Sequence, residues 1–235
     1  MGVYMDLNVL KQIIDDNPEL YKVFRGCPYE ILNHWEIKEY PAGNVIFSQG
    51  EVIDCLYIII SGYVDVYYMA ENGKKYSQII IKRGELIGEF EIFDQKPLIC
   101  SAEALTDIKT LQLKQIHFTK WLELDNNISS YLVKYLCNQF YLFSEKAGND
   151  ALYSLKARLC SYLLSQSHVV NKNTGYIELK LDKKKLSDKF AVTIRSVNRI
   201  LQSLKSKNII DIKINSIIIK DLKQLTLEEE ASRYD

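Results

Sequence analysis

The period of the hydrophobic pattern changes near Leu113, and that switch limits what each part of this chain can fold into. From Trp35 to Leu113, short apolar runs are broken by turn residues: Pro41-Ala42-Gly43-Asn44, Ser48-Gln49-Gly50-Glu51, Ser61-Gly62 and Glu71-Asn72-Gly73-Lys74. Between the turns, Val45 to Phe47, the β-branched run Leu56 to Ile60, the alternating Tyr63 to Tyr67, and Tyr76 to Ile81 read as strands. Asn72-Gly73 is expected to supply the positive φ angles that close the last two into a hairpin. Short strands at this spacing predict a small barrel or jelly roll.

Beyond Leu113 the pattern is helical, with a short helix expected over His117 to Glu123 and a long one from Asn127 to about Leu152. Ile128, Leu132, Tyr135, Gln139, Leu142 and Lys146 fall four, three, four, three and four residues apart, which makes one stripe down that helix. Tyr131, Leu136 and Phe143 widen it beyond what a monomer leaves exposed. The stripe packs either on its own barrel or on a second copy. The spacing favours the second copy, with Ile128, Leu132, Tyr135, Gln139 and Leu142 as the dimer-helix residues. Gly148 weakens the far end and predicts a bend into a hinge near Tyr153-Ser154. A helix over Leu155 to Gln166, a loop over Asn171 to Gly175 and a strand over Ile177 to Leu181 follow.

Two short helices come next. Asp182 can cap one from Lys183 to Phe190, Ala191-Val192 turns the chain, and Thr193 can cap a second from Ile194 to Ser206. At 100° per residue, Val197, Ile200, Leu201 and Leu204 fall on one side of the second helix. Arg195, Arg199, Gln202 and Ser206 fall opposite, with Asn198 at the edge. Arginine pairs bidentately with guanine, and glutamine or asparagine with adenine, so this side suits the edges of base pairs. Asn208 can end the helix in the left-handed region, and Ile209 to Lys213 and Ile217 to Asp221 form a hairpin across Asn215-Ser216. A charged surface helix on a generic α+β domain would explain the stripe alone. The two caps, the short turn and the following hairpin together point to a winged helix-turn-helix.

Charge points the same way. The formal net charge is zero, yet twelve basic and four acidic residues lie between Lys180 and Lys223, a local +8 that the rest of the chain cancels. Lys183, Lys184, Lys185, Lys207 and Lys213 are the expected phosphate contacts; Thr193, Arg195, Asn198, Arg199 and Gln202 are the expected base readers. The longest uninterrupted apolar run, Cys55 to Ile60, is far below the roughly 18 residues of a membrane span, and no membrane partner is expected. The acidic N-terminus and five dispersed cysteines fit a reduced, cytoplasmic protein. His34, His117 and His168 lack metal-ligand spacing, which argues against a cupin-type metal enzyme; neither a metal nor a cofactor is expected.

These residues resemble the Crp–Fnr family, whose members join a cyclic-nucleotide-binding-type β-roll to a winged helix-turn-helix. The sensor part of the likeness is carried by Pro41-Ala42-Gly43, Gln49-Gly50-Glu51, Leu56 to Gly62, and Gly84-Glu85-Leu86-Ile87-Gly88-Glu89. Leu186-Ser187, Val197 to Leu201 and Asn208-Ile209-Ile210 carry the remainder, and the likeness runs from about Asn33 to Leu222. It implies an α+β chain in three parts: a β-roll or jelly-roll sensor over 1–126, a dimerisation helix over 127–152, and a winged helix-turn-helix over 153–235. It further implies a bacterial homodimer that reads double-stranded DNA as a transcription regulator, with RNA polymerase and a small-molecule effector as further candidate partners. The alternative is an effector-binding β-roll that acts through protein partners rather than DNA.

Three departures from the family pattern matter. Nucleotide-binding members pair a ribose-holding glutamate with an arginine about ten residues on that neutralises the cyclic phosphate. Here Glu89 matches the glutamate, but the arginine position falls near Cys100-Ser101-Ala102, and no arginine occurs from Glu85 to Lys156. Gly88, Glu89, Cys100 and Ser101 are the expected pocket residues, Lys96 is the only cation in the cassette, and no response to cyclic AMP is expected. Oxygen-sensing members carry an N-terminal cysteine cluster, whereas Cys27 stands alone, leaving Cys100 and Cys137 as the thiols a redox role would use. The family's arginine–glutamate–arginine trio is kept only in part, with Ile194, Arg195 and Arg199 at its positions, so the operator should differ from the best-known ones.

Overall fold

The computed structural model describes residues 5–167 and 177–234. The expected loop Asn171 to Gly175 and His168 lie outside the described residues. Contacts divide the chain into two compact units, Met1–Gln139 and Phe140–Asp235.

The first unit opens with helices α1 (Leu7–Asp15), α2 (Tyr21–Phe24) and α3 (Tyr29–Leu32), which the strand-turn pattern does not announce. Eight strands follow: β1 (Glu36–Tyr40), β2 (Val45–Phe47), β3 (Cys55–Ser61), β4 (Val64–Met69), β5 (Lys75–Ile81), β6 (Leu86–Ile87), β7 (Ser101–Ala104) and β8 (Ile108–Lys114). They form two antiparallel sheets ordered β1-β8-β3-β6 and β2-β7-β4-β5, with the one-turn helix α4 (Glu91–Asp94) between β6 and β7. Such a two-sheet roll is what short strands with frequent turns are expected to build.

Strand β3 explains why its sequence reads as continuous rather than alternating. Cys55, Tyr57 and Ile59 face a core shared with Phe47, Val64 and Ala102 of the other sheet. Leu56, Ile58 and Ile60 face a second core with Trp35, Phe118 and Trp121. A strand covered on both faces needs apolar residues at every position. The turn between β4 and β5 departs from expectation. Gly73 alone is left-handed, at φ 76°, while the Asn72 side chain accepts a hydrogen bond from Lys74 N at 3.1 Å. The Gly73 amide donates to Ala70 O at 2.9 Å, so the loop is longer than a two-residue hairpin and Asn72 has no need of a positive φ.

Helix α5 (Gln115–Leu124) leads into α6 (Asn126–Leu152), which runs through Gly148 without interruption, and the chain leaves the helix at Tyr153-Ser154 as expected. The first part of the stripe expected at a second copy packs on the chain's own roll instead. Ile128 and Leu132 are 1 % and 3 % exposed within a single chain because they complete the core under Trp35 and Trp121. Tyr135 packs beside them, and its hydroxyl accepts from Leu86 N at 3.2 Å. Gln139 is half-buried, whereas Leu142 is exposed. The fold also stacks His34 on His117, with ring centroids 3.6 Å apart.

In the second unit, α7 (Leu155–Ser167) is followed by β9 (Ile177–Lys180), α8 (Lys183–Phe190), α9 (Ile194–Ser206), β10 (Ile210–Ile212), β11 (Ser216–Ile219) and α10 (Leu222–Ala231). The strands order as β10-β11-β9, so the expected hairpin is the edge of a three-stranded sheet. Leu159, Leu163, Leu181, Phe190, Val197, Leu204 and Ile217 share one core. Helix α10 packs on α7 and is capped by Asp221, which accepts from Gln224 N at 2.9 Å. No described helix is long and apolar enough to cross a membrane.

Candidate nucleic-acid interface

Local chemistry fixes the α8–α9 pair. Asp182 Oδ1 accepts from the amides of Lys184 and Lys185, both at 3.0 Å, and satisfies donors that the first turn of α8 leaves open. Ala191 then takes the left-handed region at φ 52°, and Val192 N donates to Ser187 O at 3.0 Å. Thr193 Oγ1 accepts from Ser196 N at 3.1 Å and starts α9. Asn208, at φ 57°, ends the connection beyond α9, where Ile209 N reaches Leu204 O at 3.1 Å.

These caps decide which side of α9 is buried. Val197, Ile200, Leu201 and Leu204 enter the core, while Arg195, Arg199, Gln202 and Ser206 are exposed on the other side. Asn198 is half-buried at the margin. Ser206 Oγ donates to Ser203 O at 2.8 Å, and the Thr193 hydroxyl is committed to its cap. Arg195, Arg199 and Gln202 have no side-chain partner among the described residues. Two exposed guanidinium groups thus keep all their donors available on one helix face.

The lysines divide into two groups. Lys183 and Lys185 have no ion pair among the described residues. Lys184 is 2.9 Å from Asp188, Lys213 is 3.3 Å from Glu178, and Lys207 is paired with Glu228. The pairs of Lys213 and Lys207 leave no mark on the local pattern, since Glu178 and Glu228 come from β9 and α10. The Lys213–Glu178 pair is exposed on both sides, and such a pair contributes about 0–1 kcal/mol and can exchange for phosphate at little cost, whereas Asp188 and Glu228 are largely buried. Ile214, 94 % exposed at the tip between β10 and β11, is likewise not marked out by the sequence pattern.

Gly88, Glu89, Cys100 and Ser101, the expected pocket residues of the β-roll, bring no cation of their own. Gly88 has φ 88°, and a Cβ there would come within 2.8 Å of Cys55 O, so the cassette turn requires glycine. Glu89 beside it is buried, and burial pushes its carboxyl up to about 8, with Glu91 and Glu85 adding to the rise. Lys96 is exposed and held by Asp94 at 2.9 Å. Ser101 Oγ accepts from Gln49 N at 2.9 Å, and Cys100 Sγ lies 3.3 Å from Gln78 Oε1. Burial, reinforced by Glu91, pushes the Cys100 thiol up to about 11, which keeps it from being a reactive thiolate at neutral pH. Among the described residues no group of three or more histidine, cysteine and acidic side chains is arranged to hold a metal ion.

Comparison with known families matches residues 37–125 to the cyclic nucleotide-binding domain and residues 157–227 to the Crp-like helix-turn-helix domain. Among curated relatives, the chain is 24 % identical over 192 residues to the cAMP-activated global transcriptional regulator CRP of Salmonella typhimurium, covering 80 % of this chain and 91 % of that one. It is 27 % identical over 178 residues to the anaerobic regulatory protein of Bacillus subtilis, covering 74 % and 75 %. A Crp/Fnr-family transcriptional regulator of Thermus thermophilus shares the fold with a TM-score of 0.68 at 23 % identity, over 84 % of this chain and all of that one. The c-di-GMP responsive regulator CLP of Xanthomonas campestris does so at 0.70 and 16 % identity, over 79 % and 94 %.

Proposed function

We propose that this chain, which belongs to the Crp–Fnr family of DNA-binding transcription regulators, reads duplex DNA by laying α9 in the major groove. The observation that carries the reading is the exposed, unpartnered pair Arg195 and Arg199 on a helix whose other side is sunk in a core. Arg195 and Arg199 would take guanine, Gln202 and Asn198 adenine, and Lys183 and Lys185 the flanking phosphates. Lys184, Lys207 and Lys213 would join them by leaving their carboxylates. Thr193 would contribute chiefly by holding the start of α9 in register.

Binding to a selected operator and to random DNA tests these roles. Arg199→Ala should cost about 1–3 kcal/mol on the operator and little on random sequence. Lys185→Ala should weaken both alike and reduce the salt slope by about one. Equal losses on both DNAs for both variants would sink the division of labour.

A homodimer through α6 would present two copies of α9 to successive major grooves, with half-sites about 34 Å apart. The protein would act in the cytoplasm beside RNA polymerase, with its β-roll taking an effector that shifts the equilibrium of the α6 pair. The relatives named as cAMP-activated suggest that ligand, but the pocket here argues against it. A cyclic phosphate would lose a charge-assisted contact of roughly 1.5–3 kcal/mol where Cys100-Ser101 replaces the arginine. Calorimetry with cyclic AMP should therefore give no binding in the micromolar range, and a micromolar isotherm would overturn this.

A further inference from the structure

The second unit holds a cavity of about 400 Å³, outside both the DNA-reading side of α9 and the β-roll pocket. Its walls come from the end of α6, from α7, from the end of α8 and from α10. That volume falls within the range of small-molecule sites. Three of the lining side chains are aromatic: Tyr153, Tyr162 and Phe190.

Two cations on the cavity wall are incompletely satisfied. The Lys189 ammonium is half-buried and lies over the Tyr162 ring, 5.2 Å from its centroid, with no carboxylate paired to it among the described residues. Arg158 donates through Nη1 to Asp150 at 2.9 Å, yet its Nε–H is buried without an acceptor. An unmet buried donor is unfavourable, and so is a desolvated charge without a counter-ion. Arg233, by contrast, is held by Glu229 at 2.8 Å.

We propose that this cavity binds a small organic anion, a carboxylate or phosphate carried on a flat apolar body. The anionic group would sit against Lys189 and Arg158 Nε, and the body would lie against the aromatic walls. Desolvation and the nearby Lys146 lower the Lys189 pKa, with Asp150 opposing them. A bound anion would hold the ammonium in its charged form, so affinity should fall as pH rises. The occupant would tie α8, the first helix of the reading pair, to the end of α6. This goes beyond the DNA-reading assignment and is tested without DNA.

The full chain is titrated with phenyl phosphate, benzoate, inorganic phosphate and chloride at matched ionic strength, reading melting temperature and heat. Phenyl phosphate or benzoate should stabilise saturably beyond chloride, with inorganic phosphate weaker. Lys189→Met should weaken that binding at least tenfold, and Arg199→Ala should leave it unchanged. On the unaltered protein, the bound ligand should protect Lys189 from acetylation, which keeps the test valid if the variant folds poorly. No saturable response beyond chloride would overturn the proposal. So would a response that survives Lys189→Met but is lost in Arg199→Ala, or binding that leaves Lys189 fully reactive.

Discussion

Phe140→Asp should convert a dimer to a monomer and lower operator affinity by roughly a thousandfold, because it charges the centre of the helix face that no other described part of the chain covers. With Ile128 and Leu132 taken by the β-roll core, the free face of α6 is the opposite one. Val133, Cys137, Phe140, Ser144, Ala147 and Ala151 follow at steps of four, three, four, three and four, and all are exposed. That is a coiled-coil repeat, with Val133 at 62 % and Phe140 at 72 % exposure and small residues beyond them that allow close approach. Burying one large apolar side chain contributes about 1.5–3 kcal/mol, and a two-fold axis counts every seam residue twice. A buried pair of like-charged aspartates reverses the sign of the central contact. A monomer keeps one half-site, which removes a large share of the roughly 10⁻⁸–10⁻¹¹ M affinity usual for specific complexes. Light scattering and operator titration read both effects. In a parallel pair, Cys137 would face its copy within disulfide range, so mild oxidation of the native protein should give a covalent dimer that Cys137→Ser abolishes. A Phe140→Asp protein that stays dimeric would refute this seam.

The same helix shows what sequence can and cannot resolve. Asp182 and Thr193 accept from neighbouring amides and Asn208 takes the left-handed region just past α9, so the reading pair is legible from local chemistry alone and its boundaries come out as observed. The turns of the β-roll are legible for the same reason. Helix α6 is apolar on two sides, and spacing describes each stripe equally well without saying which one meets the chain's own core. The choice depends on Trp35, Trp121 and Leu56, which lie far apart in sequence and come together only in the folded roll. The pairing of Lys207 with Glu228 and of Lys213 with Glu178 is hidden likewise, as is the cavity beside Lys189, because each joins separate elements. At the turn before β5 the dipeptide rule fails, because only Gly73 takes the left-handed region and Asn72 is left to cap the loop.

Glu89→Gln should make the protein more stable at pH 8 and leave it nearly unchanged at pH 4.5. The carboxyl stands at about 8 in the folded chain against an ordinary 4.5, driven first by burial. Between those values the unfolded chain releases a proton that the folded chain keeps, so folding stability falls as pH rises through that window. Below it both states are protonated and nothing is lost. A tenfold change in proton affinity corresponds to about 1.4 kcal/mol, which puts the full difference on the order of 5 kcal/mol. Glutamine escapes it because it never ionises. The groups around Glu89 favour the neutral form: Glu85 and Glu91 repel a charge, and the Tyr135 hydroxyl is a neutral neighbour that already accepts from Leu86 N. Only the residue's own amide favours the charged form. Urea unfolding of both proteins from pH 4.5 to 8.5 isolates this group, since the other titrations cancel in the difference. A flat difference, or a wild-type protein that gains on the variant as pH rises, would mean that Glu89 is ionised in the fold. A cyclic nucleotide is disfavoured in either protonation state, because a neutral carboxyl still accepts from a ribose hydroxyl; it is the absent arginine that leaves the cyclic phosphate without its charged partner.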